Sequence, residues 1–375
     1  MKVLSLTNTP LDPSLGSGKT VLAWSQGLKK LGHSVDVIFP ESFYRPWPKE
    51  KGKRLKARID AKGLSKMIIM GDYDLVEFYG AEFGLLIANV AKIPRQNRPL
   101  LVAHTNGLEL LAAAVSQGNI KNSGRSILQS VSAKMLQPVL AKIDAMAFTR
   151  VDAFAAICEA DLNFVVDEGV QPRERCAVIE PGVDDAYLSA PWQRTKRPWL
   201  VSFASWSARK DPETTVRIAT ELLCRIPELE FHVIGASSAK ETILSAFNES
   251  LRSRIVVYPR LPQEDIVEVL SQAKVFLFPS LYEGFGMATT EAMACGCAVV
   301  VTPTGFGEAI RDGVDGFVCN FQDAEMMTAR CSALYLDDNL CQRIAKAGRE
   351  RVCCLRWPAQ VQKLETQYQN WIQAL

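Results

Sequence analysis

The sequence predicts an α/β protein of two doubly wound domains, and three observations carry that expectation. Short apolar, β-rich runs alternate with helical stretches through all 375 residues. Several runs, such as Val275-Phe-Leu-Phe278, are apolar at every position, as parallel strands buried on both faces require. The alternation is interrupted once, by Pro181-Gly-Val-Asp-Asp185, Pro191 and the stretch from Arg194 to Pro198. Strand-helix alternation builds parallel sheets covered by helices, and the interruption separates two of them.

In chain order, strands are expected at 2–6, 34–39, 75–78, 100–103, 153–157 and 176–179, then at 199–203, 229–234, 254–258, 275–278 and 298–302. Helical patterns fall between them at 19–31, 81–92, 125–147, 211–226, 264–273 and 287–295. A last helix, about 358–374, has no strand after it. The domains read as 1–185, a linker 186–198, a second domain 199–356, and a C-terminal helix 357–375 crossing back to the first. Open α/β sheets bind ligands beyond the carboxyl ends of their strands. Function is therefore to be sought in the loops that follow strands, at a central cleft between the domains.

Bulk properties narrow the class. The apolar share of 48% and charged share of 22% are those of a soluble globular protein. No apolar run approaches the roughly 18 residues that span a bilayer. The chain opens directly on a strand, so no signal peptide is expected. Ten cysteines form no CxxC pair and no metal-ligand spacing with the three histidines. Reduced thiols in a cytoplasmic protein is the expectation. Net charge is +2, but nine Lys or Arg between Arg45 and Lys66 face only Glu50 and Asp60 there. That block carries +7 and leaves −5 to the rest of the chain. With Phe43, Tyr44 and Trp47 at its start, it has two readings. One is a solvated loop. The other is docking of Trp47, Lys51, Lys53, Arg54 and Lys56 to an anionic acceptor or to lipid headgroups at a membrane face. No nucleic-acid module accompanies it, so no nucleic-acid partner is expected.

Pro13-Ser-Leu-Gly-Ser-Gly-Lys-Thr20 lies between the first strand and a helical run, where a P-loop would be. A P-loop needs glycine five residues before Gly18, and that residue is Pro13. Proline lacks the N–H that cradles phosphate. The simpler reading is a turn, Gly16 and Gly18, opening a helix that Gly32 ends. Asp72-Tyr-Asp74 is a similar decoy. It has the form of a metal-binding DxD, yet stands at a strand boundary where aspartate is common. No metal is expected.

The richest segment runs Phe278-Pro-Ser-Leu-Tyr-Glu-Gly-Phe-Gly-Met-Ala-Thr-Thr-Glu-Ala-Met-Ala-Cys-Gly296. A buried strand ends there, a loop with Gly284 and Gly286 follows, and a helix starts near Met287. Gly286, Met287 and Ala288 would then offer N–H groups to a diphosphate. Glu283 precedes that site, and Glu291 lies one turn into the helix, where it could hold a vicinal diol. Singly, Glu283 reads as a turn residue and Glu291 as a surface helix residue. Together, Glu-Gly-Phe-Gly and a second Glu eight positions on resemble the E-x7-E signature of family-4-type retaining glycosyltransferases of the GT-B fold.

The resemblance extends over most of the chain. It takes in the Gly16 loop, Leu31-Gly-His-Ser-Val-Asp-Val37, Asp152-Ala-Phe-Ala-Ala-Ile-Cys-Glu159, Val178-Ile-Glu-Pro-Gly-Val-Asp184, Thr302-Pro-Thr-Gly-Phe-Gly-Glu308 and Asp312-Gly-Val-Asp-Gly316. It implies two Rossmann-like domains facing a cleft. It also implies transfer of a hexosyl unit from a nucleotide-diphosphate sugar to an acceptor hydroxyl in a glycan, lipid or small molecule, with retention and without a metal or resident cofactor. By the same resemblance Glu283 contacts the donor sugar and Glu291 the ribose. Lys210 neutralises the diphosphate, and Gly284, Phe285, Gly286, Met287 and Ala288 complete the donor loop. Gly16 approaches the diphosphate from the first domain. The family's arginine five residues before Lys210 is Ser205 here, with Arg209 as the available replacement, and the family's glycine after the lysine is Asp211. His104 matches a histidine near the reacting carbon. Aligned on Gly107-Leu108-Glu109, Asn106 takes that place instead. Two other classes share the architecture: a silent sugar-nucleotide-binding or scaffold protein, and a sugar-nucleotide epimerase or phosphorylase.

Overall fold

The computed structural model describes residues 1–12, 16–38, 61–105, 107, 145–203, 206–236 and 238–374. They fall into two compact units. The first takes the described residues up to Pro181 together with 357–374, and the second takes Gly182–Arg356.

The first unit is a six-stranded sheet of β1 (Lys2–Thr7), β2 (Ser34–Ile38), β3 (Leu75–Tyr79), β4 (Leu100–His104), β5 (Ala153–Ala156) and β6 (Cys176–Val178). All neighbours are parallel, in the order β2-β1-β3-β4-β5-β6. The second contains β7 (Arg197–Phe203), β8 (Glu230–Ile234), β9 (Ile255–Val257), β10 (Ala273–Phe278), β11 (Ala298–Val301) and β12 (Phe317–Val318). These are also parallel, in the order β12-β11-β10-β7-β8-β9. Strands β3, β4 and β11 are buried at every position; β11 is apolar throughout, whereas β3 carries Glu77 and β4 ends at His104.

Several elements differ from the sequence reading. The two-residue strand β12 is too short to carry a periodic signal. The stretch 81–92 divides into a 3-10 turn, Ala81–Phe83, and a helix, Gly84–Val90. The first helix is Gly16–Lys30, so Gly16-Ser-Gly-Lys-Thr20 is its first turn rather than a loop before it. The Thr20 hydroxyl donates to the Gly16 carbonyl at 2.8 Å. The first unit's N-terminal stretch runs to Pro181, ahead of the segment 186–198 read as the linker, and a short helix, Asp185–Leu188, begins before that segment. The expected helix 125–147 lies almost wholly outside the described residues, as do Trp47, Lys51, Lys53, Arg54 and Lys56.

The C-terminal helix Trp357–Ala374 packs in the first unit against the helix Gly16–Lys30. Trp24, Leu28, Val361, Leu364, Tyr368 and Trp371 are all buried in their shared core, and each contributes about 1.5–3 kcal/mol of apolar burial. Trp24 and Trp357 meet edge to face at 5.1 Å. The approach is close because Gly27 has no side chain: a Cβ there would stand 2.3 Å from a Val361 methyl. We therefore expect Gly27→Val to destabilise the protein by about 1–3 kcal/mol through overpacking. Val361→Ala in the same chain should return part of the loss. Equal denaturation midpoints for the parent and Gly27→Val would refute this packing.

Candidate functional site

The strand order of the second sheet reverses between β7 and β10, and such a switch point is where open α/β sheets bind ligands. The two loops leaving these strands are held together by one buried ion pair. Lys210 Nζ donates to Glu283 Oε1 at 2.6 Å, with side-chain exposures of 12% and 8%. The ammonium also lies 4.2 Å from the centroid of the Phe278 ring, a cation–π contact. Burial lowers the Lys210 pKa from the ordinary lysine value, and nearby Arg209 adds to that, while Glu283 opposes it. Arg209 is more exposed, with Nη1 3.8 Å from Glu283 Oε2. One carboxylate thus gathers both cations.

Backbone contacts fix this geometry. Leu281 N–H donates to the Arg209 carbonyl at 2.8 Å, joining the loop after β7 to the loop after β10. Glu283 N–H donates to Thr304 Oγ1 at 2.9 Å, and Phe306 N–H to the Phe285 carbonyl at 2.6 Å, which brings in the loop after β11. Gly305, at φ +56°, makes the last approach possible, because a Cβ there would lie 2.5 Å from the Phe285 carbonyl oxygen. Asp211 adopts φ +48° and its carboxylate accepts from Thr214 N–H at 3.2 Å, capping the helix Pro212–Arg225. That left-handed conformation is one that glycine adopts most readily. Aspartate also tolerates it and adds a cap.

Gly286, at φ +82°, starts the helix Met287–Ala294. Gly286, Met287 and Ala288 are half-buried, whereas Thr289 to Ala294 are buried. Gly284 and Phe285 are also buried. Glu291 is therefore not a surface residue: it is 7% exposed. Its neighbour Tyr187 has its phenol pushed above the ordinary range, first by burial and then by the Glu291 charge. The structure thus gathers Arg209, Lys210, Glu283, the turn 284–288 and Glu291 into one unit. Ser205 lies outside the described residues.

In the first unit, Gly16 is exposed at the start of its helix, and Gly18 packs against the 10–12 segment. His104 ends β4 with 5% exposure, stacks on Tyr79 at 4.5 Å and meets the Tyr368 hydroxyl through Nε2 at 2.5 Å. Burial lowers its pKa to about 3, so the ring is neutral. Asn106 lies outside the described residues. Asp72 occupies a positive-φ turn, and Asp74 accepts from Lys2 N–H at 2.7 Å, which are structural duties. Sequence reasoning missed Thr304 and Phe278, whose parts depend on contacts between distant loops. It also missed Glu77, although a carboxylate amid Leu75-Val-Glu-Phe-Tyr79 is itself a signal.

Comparison with known proteins agrees with this architecture. The profile of the Glycosyl transferases group 1 family matches residues 189–351, and that of Glycosyltransferase Family 4 matches residues 15–187. The chain belongs to the group 1 glycosyltransferases of the GT-B fold. A D-inositol 3-phosphate glycosyltransferase of Corynebacterium diphtheriae is 32% identical over 168 residues, covering 42% of this chain and 39% of that protein. The chain spans about half the length of the curated relatives it matches. Among solved structures, sucrose-phosphate synthase from Thermosynechococcus elongatus superposes with a TM-score of 0.76 at 17% identity over all of both chains. Anabaena HepE in complex with UDP-glucose gives 0.70 at 14% identity over 99% of this chain and 100% of that one. At such identities these structures establish the fold.

The Lys210–Glu283 pair should be visible in stability. Lys210→Met leaves a buried carboxylate without its lysine and is expected to cost about 3 kcal/mol. The double variant Lys210→Met, Glu283→Gln should recover most of it in urea titration. Additive losses would mean that the pair is not coupled.

Proposed function

We propose that the protein transfers a hexosyl unit from a nucleotide-diphosphate sugar to an acceptor hydroxyl, with retention at the anomeric carbon. The observation that carries this reading is the Lys210–Glu283 pair at the β7/β10 switch point, beside the N-terminus of the helix Met287–Ala294. Departure of the nucleoside diphosphate develops negative charge, and preorganised cations and helix N-termini stabilise it most effectively where water is excluded. On donor binding Lys210 turns from Glu283 to the diphosphate, and Glu283 accepts a hydrogen bond from the sugar. Arg209, 40% exposed and beside the same carboxylate, supplies the charge that Ser205 does not. Gly286, Met287 and Ala288 receive diphosphate oxygens, while Glu291 holds the ribose diol. The family resemblance assigns Gly16 to the diphosphate and His104 to the sugar. The nucleotide sugar is a co-substrate, and the reading requires no metal or resident cofactor. HepE is solved with UDP-glucose, which makes a UDP-sugar the first donor to try.

Thermal shift against UDP-, GDP- and ADP-sugars tests this directly. One nucleotide class should stabilise the parent, and Glu291→Ala should abolish that shift. Lys210→Ala should lower kcat by about 10²–10³-fold; near-parent turnover would remove it from leaving-group stabilisation. Ser205 in the place of arginine favours one alternative, a sugar-nucleotide-binding protein without transferase activity. Donor stabilisation without transfer or hydrolysis would establish that alternative.

Among the described residues no helix is long and apolar enough to cross a membrane. The basic block continues into the helix Ala61–Met70, whose end exposes Ile69 at 47% and Met70 at 71%. We assign this stretch to an anionic lipid surface, where each basic residue adds about 1 kcal/mol. Neutralising Lys51, Lys53, Arg54 and Lys56 should release the protein from phosphatidylserine vesicles in sedimentation. Undiminished binding would exclude that role.

A further inference from the structure

A chain of buried hydroxyl, carboxylate and imidazole groups crosses the first unit from β1 to the C-terminal helix. Ser5 Oγ donates to Glu77 Oε2 at 2.5 Å, and Tyr79 OH reaches the same oxygen at 3.4 Å. Tyr368 OH donates to Glu77 Oε1. Tyr368 in turn meets His104 Nε2 at 2.5 Å. Glu77 and Tyr368 are fully buried, and Tyr79 and His104 nearly so. Burial raises the Glu77 pKa from its ordinary value, and the three hydroxyls oppose that rise.

The protons can be assigned by counting. Three hydroxyls converge on Glu77 and, with the carboxyl ionised, all three donate to it. The single proton of Tyr368 is then spent on Glu77, so its oxygen can only accept from His104. The imidazole, neutral in this setting, must carry its proton on Nε2. Among the described residues no side chain is hydrogen-bonded to Nδ1. His104 is the last residue of β4, at the carboxyl edge of a parallel sheet, where such sheets meet their ligands.

We propose that Glu77 and Tyr368 are positioning residues that fix His104 as the Nε2–H tautomer, leaving Nδ1 as a hydrogen-bond acceptor for a hydroxyl of the sugar substrate. The sugar contact rests on the transferase reading given above; the tautomer does not. The partner of a histidine ring nitrogen sets which nitrogen is protonated, and so what the other offers. A C-terminal helix residue 264 positions away in sequence thereby sets the polarity of the contact that β4 presents.

Nitrogen-15 NMR of histidine-labelled full-length protein reads this without turnover. The chain has three histidines, and His104→Gln identifies the resonances of interest. In the parent, Nδ1 of His104 should resonate as an unprotonated ring nitrogen and Nε2 as a protonated one. In Glu77→Gln the amide can donate to Tyr368, whose hydroxyl then turns to His104 Nε2, so the tautomer should reverse. In Tyr368→Phe the link is cut, and the parent's single tautomer should give way to a mixture. An Nδ1–H tautomer in the parent overturns the proposal. So does an unchanged His104 signature in both folded variants.

A second arm titrates the labelled protein with UDP-, GDP- and ADP-glucose, each against its bare diphosphate. A sugar nucleotide that stabilises the protein should shift Nδ1, whereas its bare diphosphate should not. Stabilisation without an Nδ1 response overturns the acceptor role. Absence of stabilisation by every donor overturns the transferase reading instead, and the tautomer result is separable from both.

Discussion

Removing charge from water is the constraint on which both units depend. An isolated ion in a protein interior is costly, and only a close partner of opposite sign or a set of aligned dipoles offsets that cost. In the second unit Lys210 and Glu283 satisfy each other at 2.6 Å, and the contact ties the loop after β7 to the loop after β10. In the first unit Glu77 has no cation beside it among its hydrogen-bond partners. Three hydroxyls from β1, β3 and the C-terminal helix surround it instead. Each solution costs stability unless complete, so each also fixes the elements that contribute to it.

The two arrangements suit different chemistry. A salt bridge between loops can exchange partners: in the proposed transfer an anion beside Lys210 would replace Glu283 and free the carboxylate for a hydroxyl. A hydroxyl-lined carboxylate inside a sheet cannot exchange so readily, because all of its donors belong to packed elements. It instead passes a defined proton arrangement to His104 at the sheet edge. Electrostatic preorganisation requires groups held before the reaction begins, and the backbone bonds among residues 209, 281, 283 and 304 provide that in the second unit.

Much of the candidate site in the second unit was legible from the chain. The strand ending at Phe278, the glycines at 284 and 286, and the paired glutamates occupy adjoining residues, so local spacing reports their geometry. Lys210 was legible only through resemblance to a family, since no local pattern ties it to a loop 73 residues further on. The bland expectation for Glu291, a surface position, failed because the helix Met287–Ala294 is buried almost throughout. Its sequence, Met-Ala-Thr-Thr-Glu-Ala-Met-Ala, has no polar face from which that could be read. The first helix began earlier than expected because Thr20 bonds back to Gly16, making helix out of what composition marked as a turn.

By itself the sequence determined the alternating α/β pattern and nearly all of the strands. Apolar continuity and helix–strand alternation are local properties, and parallel sheets buried on both faces follow from them. Only the tertiary structure decided the order of those strands, and with it the switch point that brings 210 and 283 together. It also decided the partners of Glu77 and His104. Those contacts join residues dozens to hundreds of positions apart, and a one-dimensional pattern does not record which distant side chains share a buried charge.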